Sequence, residues 1–394
     1  MSSIELQILN ERYIGRYFQA AALGIALDSL PPHFSEKIIR GFEEGLVALS
    51  RDEAKKLLEV ITEKLRNLCK ECKTREKGSN LLPTLYKAGA YYDGTILERA
   101  FNSDIRDVSC DSVIGIGDSL KLNNLNNITE KLPMILKTYV FSEYRDRYSV
   151  ESVNSLSLYV TVAGIPISII AQGGKGKSRK DEGKYELYVV PDTSAESLRA
   201  SGKLYQLLHL SVEGRCISDY INDVSKIEGL SFELATLIAV AIYIYQAMRL
   251  ASEIPSINAL YDVFEMFRLV NIRPERRPQV VWERPLTITH IFRGLDDVGA
   301  LELLDTLKDA IEHSNKLGGD ARRLREEVRD VVSRCVTALF TYFETWSLDP
   351  LLACGADSVK VARRLGELGM SGASRTFTRL VRHISRLASP AWLT

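Results

Sequence analysis

Residues 156–191 read LSLYVTVAGIPISIIAQGGKGKSRKDEGKYELYVVP. Leu156, Leu158, Val160 and Val162 alternate with Ser157, Tyr159 and Thr161, a period of two that predicts a half-buried strand. Tyr185–Val190 is rich in aromatic and β-branched residues and is closed by Pro191, which predicts a second strand. Gly164-Ile-Pro166 reads as a bend or an edge between them. The segment Gly173–Lys184 carries Lys175, Lys177, Arg179, Lys180 and Lys184, offset only by Asp181 and Glu182. Together these signals predict an antiparallel β-meander over 155–191 with a long hairpin and a flexible basic tip.

Such a tip has no core of its own, and its glycines let the backbone approach a ligand closely. A mobile cationic loop can follow a polyanion without fixed geometry, so phosphate is one partner it could take. A solvated charged loop that binds nothing is the other reading. A nucleotide-binding P-loop is excluded. That pattern needs a glycine where Ala171 stands and a helix afterwards, where Tyr185–Val190 predicts a strand.

Working outward, 394 residues suffice for two or three cores, and 45% hydrophobic with 26% charged residues is the composition of a soluble globular protein. Lys+Arg and Asp+Glu balance at 51 each, so any nucleic-acid surface must come from locally segregated charge. The amino terminus lacks a basic start followed by an apolar core, so no secretory signal is expected. Leu234–Tyr245 is strongly apolar but about half the length a bilayer needs, which predicts a buried helix, no membrane partner and a cytoplasmic location. The six cysteines are scattered, and Cys69-Lys-Glu-Cys72 is a lone CxxC without a second pair or suitably spaced histidines. Unpaired thiols near a helix end are the plain reading; a redox pair or half a zinc site are the alternatives. Six glutamines among abundant Arg, Glu and Lys hint at a thermophilic source, where an intracellular disulfide would be unsurprising.

Residues 35–68 read as two helices. Ile38, Ile39, Phe42, Leu46 and Leu49 form one apolar stripe, Ser50 and Glu53 a capping box, and Leu57, Leu58, Ile61, Leu65 and Leu68 a second stripe. Gly115-Ile-Gly117 reads as a turn. Between Lys137 and Tyr148, aromatics interleave with cations, a pattern suited either to single-stranded nucleic acid or to an amphipathic element on the core. Ser194–Leu210 and Ser231–Ser252 read as helices, with His209 a core histidine. Residues 272–285 (IRPERRPQVVWERP) hold three prolines and four arginines and read as a linker. The expected division is therefore an α+β domain over 1–271, a Pro/Arg linker over 272–285, and an all-helical bundle over 286–394. In the last helix, Arg375, Arg379, Arg382 and Arg386 step by four, three and four and share one face, opposite Phe377, Leu380, Val381, Ile384 and Leu387. No acidic residue interrupts that row. A polyanion would relieve its self-repulsion, and a solvated surface helix is the alternative.

No catalytic constellation is evident. None of the five histidines falls in a metal-ligand pattern, and no nucleophile elbow is present, so neither a metal nor another cofactor is expected. Arg284 and His290 match the loose arginine-to-histidine spacing of helical HEPN ribonucleases, but Pro285 opposes a continuous helix through both.

The phrase GKYELYVVPD (183–192), the proline-broken stretch and the opening PLTITHIFRGLDDVGALELLDTL (285–307) of the helical part, in that order, resemble the large subunit of archaeal type I-A CRISPR effector complexes. The resemblance implies a non-catalytic subunit at one end of a guide-RNA ribonucleoprotein. It also implies recognition of a short flanking motif in double-stranded target DNA and stabilisation of the opened single strands through the helical tail. Within that frame the basic hairpin would approach the duplex and the Arg375–Arg386 face the separated strands. A CRISPR-linked ribonuclease using Arg284 and His290, and a scaffold binding only protein, are the alternative readings.

Overall fold

Residues 156–162 lie in a helix. The computed structural model describes residues 3–71, 109–120, 122–126, 153–173, 185–225, 231–250, 264–273, 279–286, 300–317, 322–345 and 347–388. They form an α+β protein that divides into two units, Met1–Cys216 with Glu265–Leu286 and Ile217–Phe264 with Thr287–Thr394.

In the first unit, β1 (Ile4–Gln7) pairs antiparallel with β2 (Leu46–Leu49), with Ile4 opposite Leu49. Helix α1 (Ile14–Leu27) is buried along its length except at Arg16, and α2 (Pro32–Glu44) stops at Gly45, whose φ of 87° is the left-handed conformation glycine tolerates. The single stripe expected over residues 38–49 is therefore split: Leu46 and Leu49 belong to β2 because the chain turns at Gly45. Helix α3 (Arg51–Glu71) starts with the expected capping box. Ser50 N–H donates to Glu53 Oε2 at 2.7 Å, and Glu53 N–H to Ser50 Oγ at 3.2 Å. Glu53 also receives Lys37 Nζ from α2 at 2.7 Å.

Helix α4 (Cys110–Ser119) absorbs the expected Gly115–Gly117 turn. A Cβ at Gly117 would lie 2.5 Å from Thr62 Oγ1 and 2.6 Å from the Tyr159 hydroxyl, so that glycine serves helix packing. Helix α5 (Ser155–Ser168) replaces the strand expected at 156–162 and takes in Gly164 and Pro166. Every residue of α5 is buried, so its apolar–polar alternation marks no solvent face. Its polar side chains are satisfied within the core. Asn154 caps the helix by accepting from Ser157 N–H at 2.9 Å, Gln7 N–H donates to Ser157 Oγ at 2.7 Å, and Thr161 Oγ1 donates to Ser157 O at 2.7 Å. Gly164 permits the crossing of α1 and α5, since a Cβ there would sit 1.8 Å from Phe18 O.

The second sheet runs β3 (Ile169–Gly173), β4 (Tyr185–Pro191), β5 (Phe267–Arg273) and β6 (Gln279–Pro285), all antiparallel and in that order. The described parts of the expected 272–285 linker are thus strand. Proline excludes helix but is tolerated at the end of an edge strand, and Pro285 sits there opposite Arg268. The expected boundary at 271 falls inside β5 accordingly. Leu187, Tyr188, Val189, Val190, Leu269, Val270 and Ile272 are all buried, so both faces of β4 and β5 are covered. Helix α6 (Ala195–His209) anchors on this sheet through the Tyr205 hydroxyl, which donates to Val189 O at 2.9 Å.

The second unit holds α7 (Ile217–Val224), α8 (Phe232–Leu250), α9 (Ala300–Lys316), α10 (Arg322–Thr345), α11 (Asp349–Glu367) and α12 (Ser371–Ala388). Helix α8 is the buried apolar run, and no described helix is long and apolar enough to cross a membrane. Disulfides join Cys69 to Cys110 and Cys335 to Cys354, and among the described residues no cysteine is free. The expectation of unpaired thiols fails at Cys69, because helix packing, α3 against α4 and α10 against α11, brings together cysteines 41 and 19 residues apart; Cys72 lies outside the described residues.

Candidate nucleic-acid interface

Helix α12 begins almost directly after α11. Gly369, with φ 74°, closes α11, and Met370 N–H donates to Leu365 O at 2.9 Å before α12 starts at Ser371. On one side of α12, Ala373, Thr376, Phe377, Leu380, His383 and Ile384 are buried. Ser374 Oγ ties the helix to α11 by donating to Ala362 O at 2.7 Å, and Ile384 lies against Gly355.

At about 100° per residue, Arg375, Arg379, Arg382 and Arg386 fall within an arc of about 60°, and at about 1.5 Å rise they extend over about 16 Å. All four are exposed. Arg375 Nε donates to Ser371 O at 3.2 Å, which orients the guanidinium without neutralising it. Arg379 is paired: its Nη2 lies 3.0 Å from Asp309 Oδ2 on α9, with the two side chains 52% and 41% exposed. At that exposure the pair contributes less than about 1 kcal/mol. Arg382 makes no hydrogen bond or ion pair among the described residues.

The neighbouring helices differ in this respect. On α10 and α11, Arg334 pairs with Asp330 and Asp357, Lys360 with Asp357, Arg363 with Glu367, and Arg364 with Glu327. The carboxylates there are engaged with their own cations, and α12 contains no acid. Adjacent like charges along the ridge oppose the helix by about 0.2–0.5 kcal/mol per pair, less in the two pairs that include Arg379, which Asp309 offsets. A row of phosphates laid along it would reverse that sign.

The basic hairpin has its stem in β3 and β4, with Gly173 opposite Tyr185 at the last pair. A Cβ at Gly173 would lie 2.2 Å from the Tyr185 ring, so the glycine lets that ring fold across the strand end. Lys175, Lys177, Arg179, Lys180 and Lys184 lie outside the described residues, as do the 137–148 segment and His290. The strand leading into the hairpin is 169–173 and not 156–162.

Arg284 lies on β6, opposite Leu269, so the helical frame that a HEPN-type pairing with His290 requires is missing at Arg284. His209 is buried, with Nε2 2.9 Å from Ile167 O and its ring edge-on to Tyr205, as a core histidine would be. Sequence reasoning missed the ion pair between Arg268 on β5 and Glu283 on β6, set diagonally across the strands with the Glu283 side chain 9% exposed. Burial works against the Arg268 charge, yet the hydrogen bond and charge of Glu283 outweigh it and hold its pKa above the usual arginine value. Among the described residues, no group of three or more His, Cys, Asp or Glu is placed to hold a metal ion. Comparison with models of protein families and with curated proteins gives no match for this chain.

Proposed function

We propose that this protein is the non-catalytic, DNA-binding large subunit of an archaeal type I-A CRISPR interference complex. The observation that carries the nucleic-acid part is the α12 ridge: four exposed arginines in one arc, on a helix without acids, although Asp309 of α9 reaches Arg379. The placement in a CRISPR complex rests on the sequence resemblance. In such a complex, guide pairing reads the target, and the protein needs only to hold phosphates and recognise a short flanking motif. The ridge suits the first task, with guanidinium groups spaced along a rigid helix for the phosphates of an opened strand. The hairpin cations Lys175, Lys177, Arg179, Lys180 and Lys184 supply the approach to the duplex.

Fluorescence anisotropy with labelled single-stranded and duplex DNA, over a salt series, tests this reading. Neutralising Arg375, Arg382 and Arg386 together to Gln lowers the magnitude of the slope of log affinity against log salt by roughly 2 for single strands. Charge reversal at Lys175, Lys177 and Arg179 weakens duplex binding. Salt-independent binding, or slopes the same in wild type and variants, would leave only a protein scaffold. RNA cleavage lost in His290→Ala would instead establish the ribonuclease.

A further inference from the structure

Helix α11 has an outward face whose middle is apolar and exposed. Leu352 is 48% and Val359 52% exposed, with Ala356 exposed between them. The inward faces are occupied: Cys354 and Asp357 meet α10, and Gly355 and Ala362 meet α12. Along the open face, Asp349, Leu352, Ala356, Val359 and Arg363 follow steps of three, four, three and four. That is the 3.5-residue period of a helix–helix seam, with apolar residues in the middle and one charge at each end.

The charge order selects the partner. In an antiparallel pair of identical helices crossing at Ala356, Asp349 of each meets Arg363 of the other, and Leu352 meets the stem of Lys360. A parallel pair would oppose Asp349 to Asp349 and Arg363 to Arg363. Asp349 makes no ion pair among the described residues, and Arg363 is held only by Glu367, one helical turn on, with the two side chains 83% and 60% exposed. Both ends are therefore available to a partner. The small side chain at the crossing point allows close approach, and antiparallel helix dipoles attract. We propose that the α11 face is a self-association surface that joins two copies of this chain antiparallel about a two-fold axis at Ala356. The contact is isologous and, as a single helix pair, belongs with weak and transient interfaces. It is independent of the nucleic-acid reading.

Sedimentation velocity of the full chain over a protein concentration series reads the dimer directly. Asp349→Arg and Arg363→Asp each place like charges at both ends and weaken self-association about tenfold or more. The two combined restore it, a rescue that a merely structural role for either residue would not give. Ala356→Cys, a small change that preserves the helix, forms an oxidised dimer across the axis, whereas Lys55→Cys on exposed α3 does not. A monomer at every concentration, a dimer indifferent to the charge swaps, or no cross-link through Ala356→Cys would each overturn the proposal and leave the face to another partner or to solvent.

Discussion

Replacing Cys335 and Cys354 together by Ala removes the covalent link between α10 and α11, the helix on which the arginine ridge is mounted. The closed loop spans 19 residues. In the chain-entropy treatment, a cross-link of that length lowers the unfolded-state entropy by about 11 cal/mol/K, or about 3 kcal/mol at 25 °C. Both cysteines are buried, and Ala keeps most of their volume, so the lost sulfur contacts add only a fraction of that. The expected result is a loss of about 3 kcal/mol for the second unit, seen as a fall of roughly 6–12 °C in its midpoint by calorimetry. Reductant reproduces the shift of this transition in the parent protein and leaves the same transition of the double variant in place, although it also opens Cys69–Cys110. The Cys69–Cys110 loop of 41 residues stabilises the other unit by about 4 kcal/mol on the same reasoning, so paired variants there move a different transition. Non-reducing peptide mapping establishes the oxidised pair beforehand. An oxidised parent whose midpoint shifts by less than about 2 °C on losing the bridge would refute the loop-closure reasoning.

Two further perturbations test the first unit. Gly164→Ala forces α1 and α5 apart, because the added Cβ would meet Phe18 O at 1.8 Å, and costs about 3 kcal/mol or more by denaturant titration; a neutral result would place the crossing elsewhere. Glu53→Gln weakens the α3 cap and the bond to Lys37 by about 1 kcal/mol at neutral pH. Burial disfavours the Glu53 carboxylate, but Lys37 and the Ser50 N–H prevail and leave its pKa below the ordinary glutamate value. Its contribution is therefore complete above that value and disappears as pH falls through the lower, folded one. The gap between parent and variant closes on acidification, and a constant gap would contradict the sign.

Local signals read well wherever one face met solvent. The Ser50–Glu53 box, the α3 stripe and the four-arginine face of α12 all follow from side chains within one or two helical turns of each other. The long apolar run of α8 was also legible, but the reading failed in the buried helix α5. In α5, Ser157 and Thr161 are polar yet enclosed, and the alternation that suggests a strand reflects hydrogen bonds to Asn154, Gln7 and the helix's own carbonyls. In the described parts of 272–285, proline pointed away from helix but could not distinguish a linker from an edge strand.

The amino-acid order by itself determined which residues become charged ridges, caps and apolar stripes, because those depend on neighbours along one helix. Tertiary structure alone decided that 156–168 is a core helix, that β5 and β6 complete a sheet begun by β3 and β4, and that Cys69 finds Cys110 and Cys335 finds Cys354. It also decided that Asp309 reaches Arg379 while Arg382 stays unpaired among the described residues. Each of those outcomes turns on groups distant in sequence competing for the same buried space or the same charge, and such competition is settled only when the elements pack.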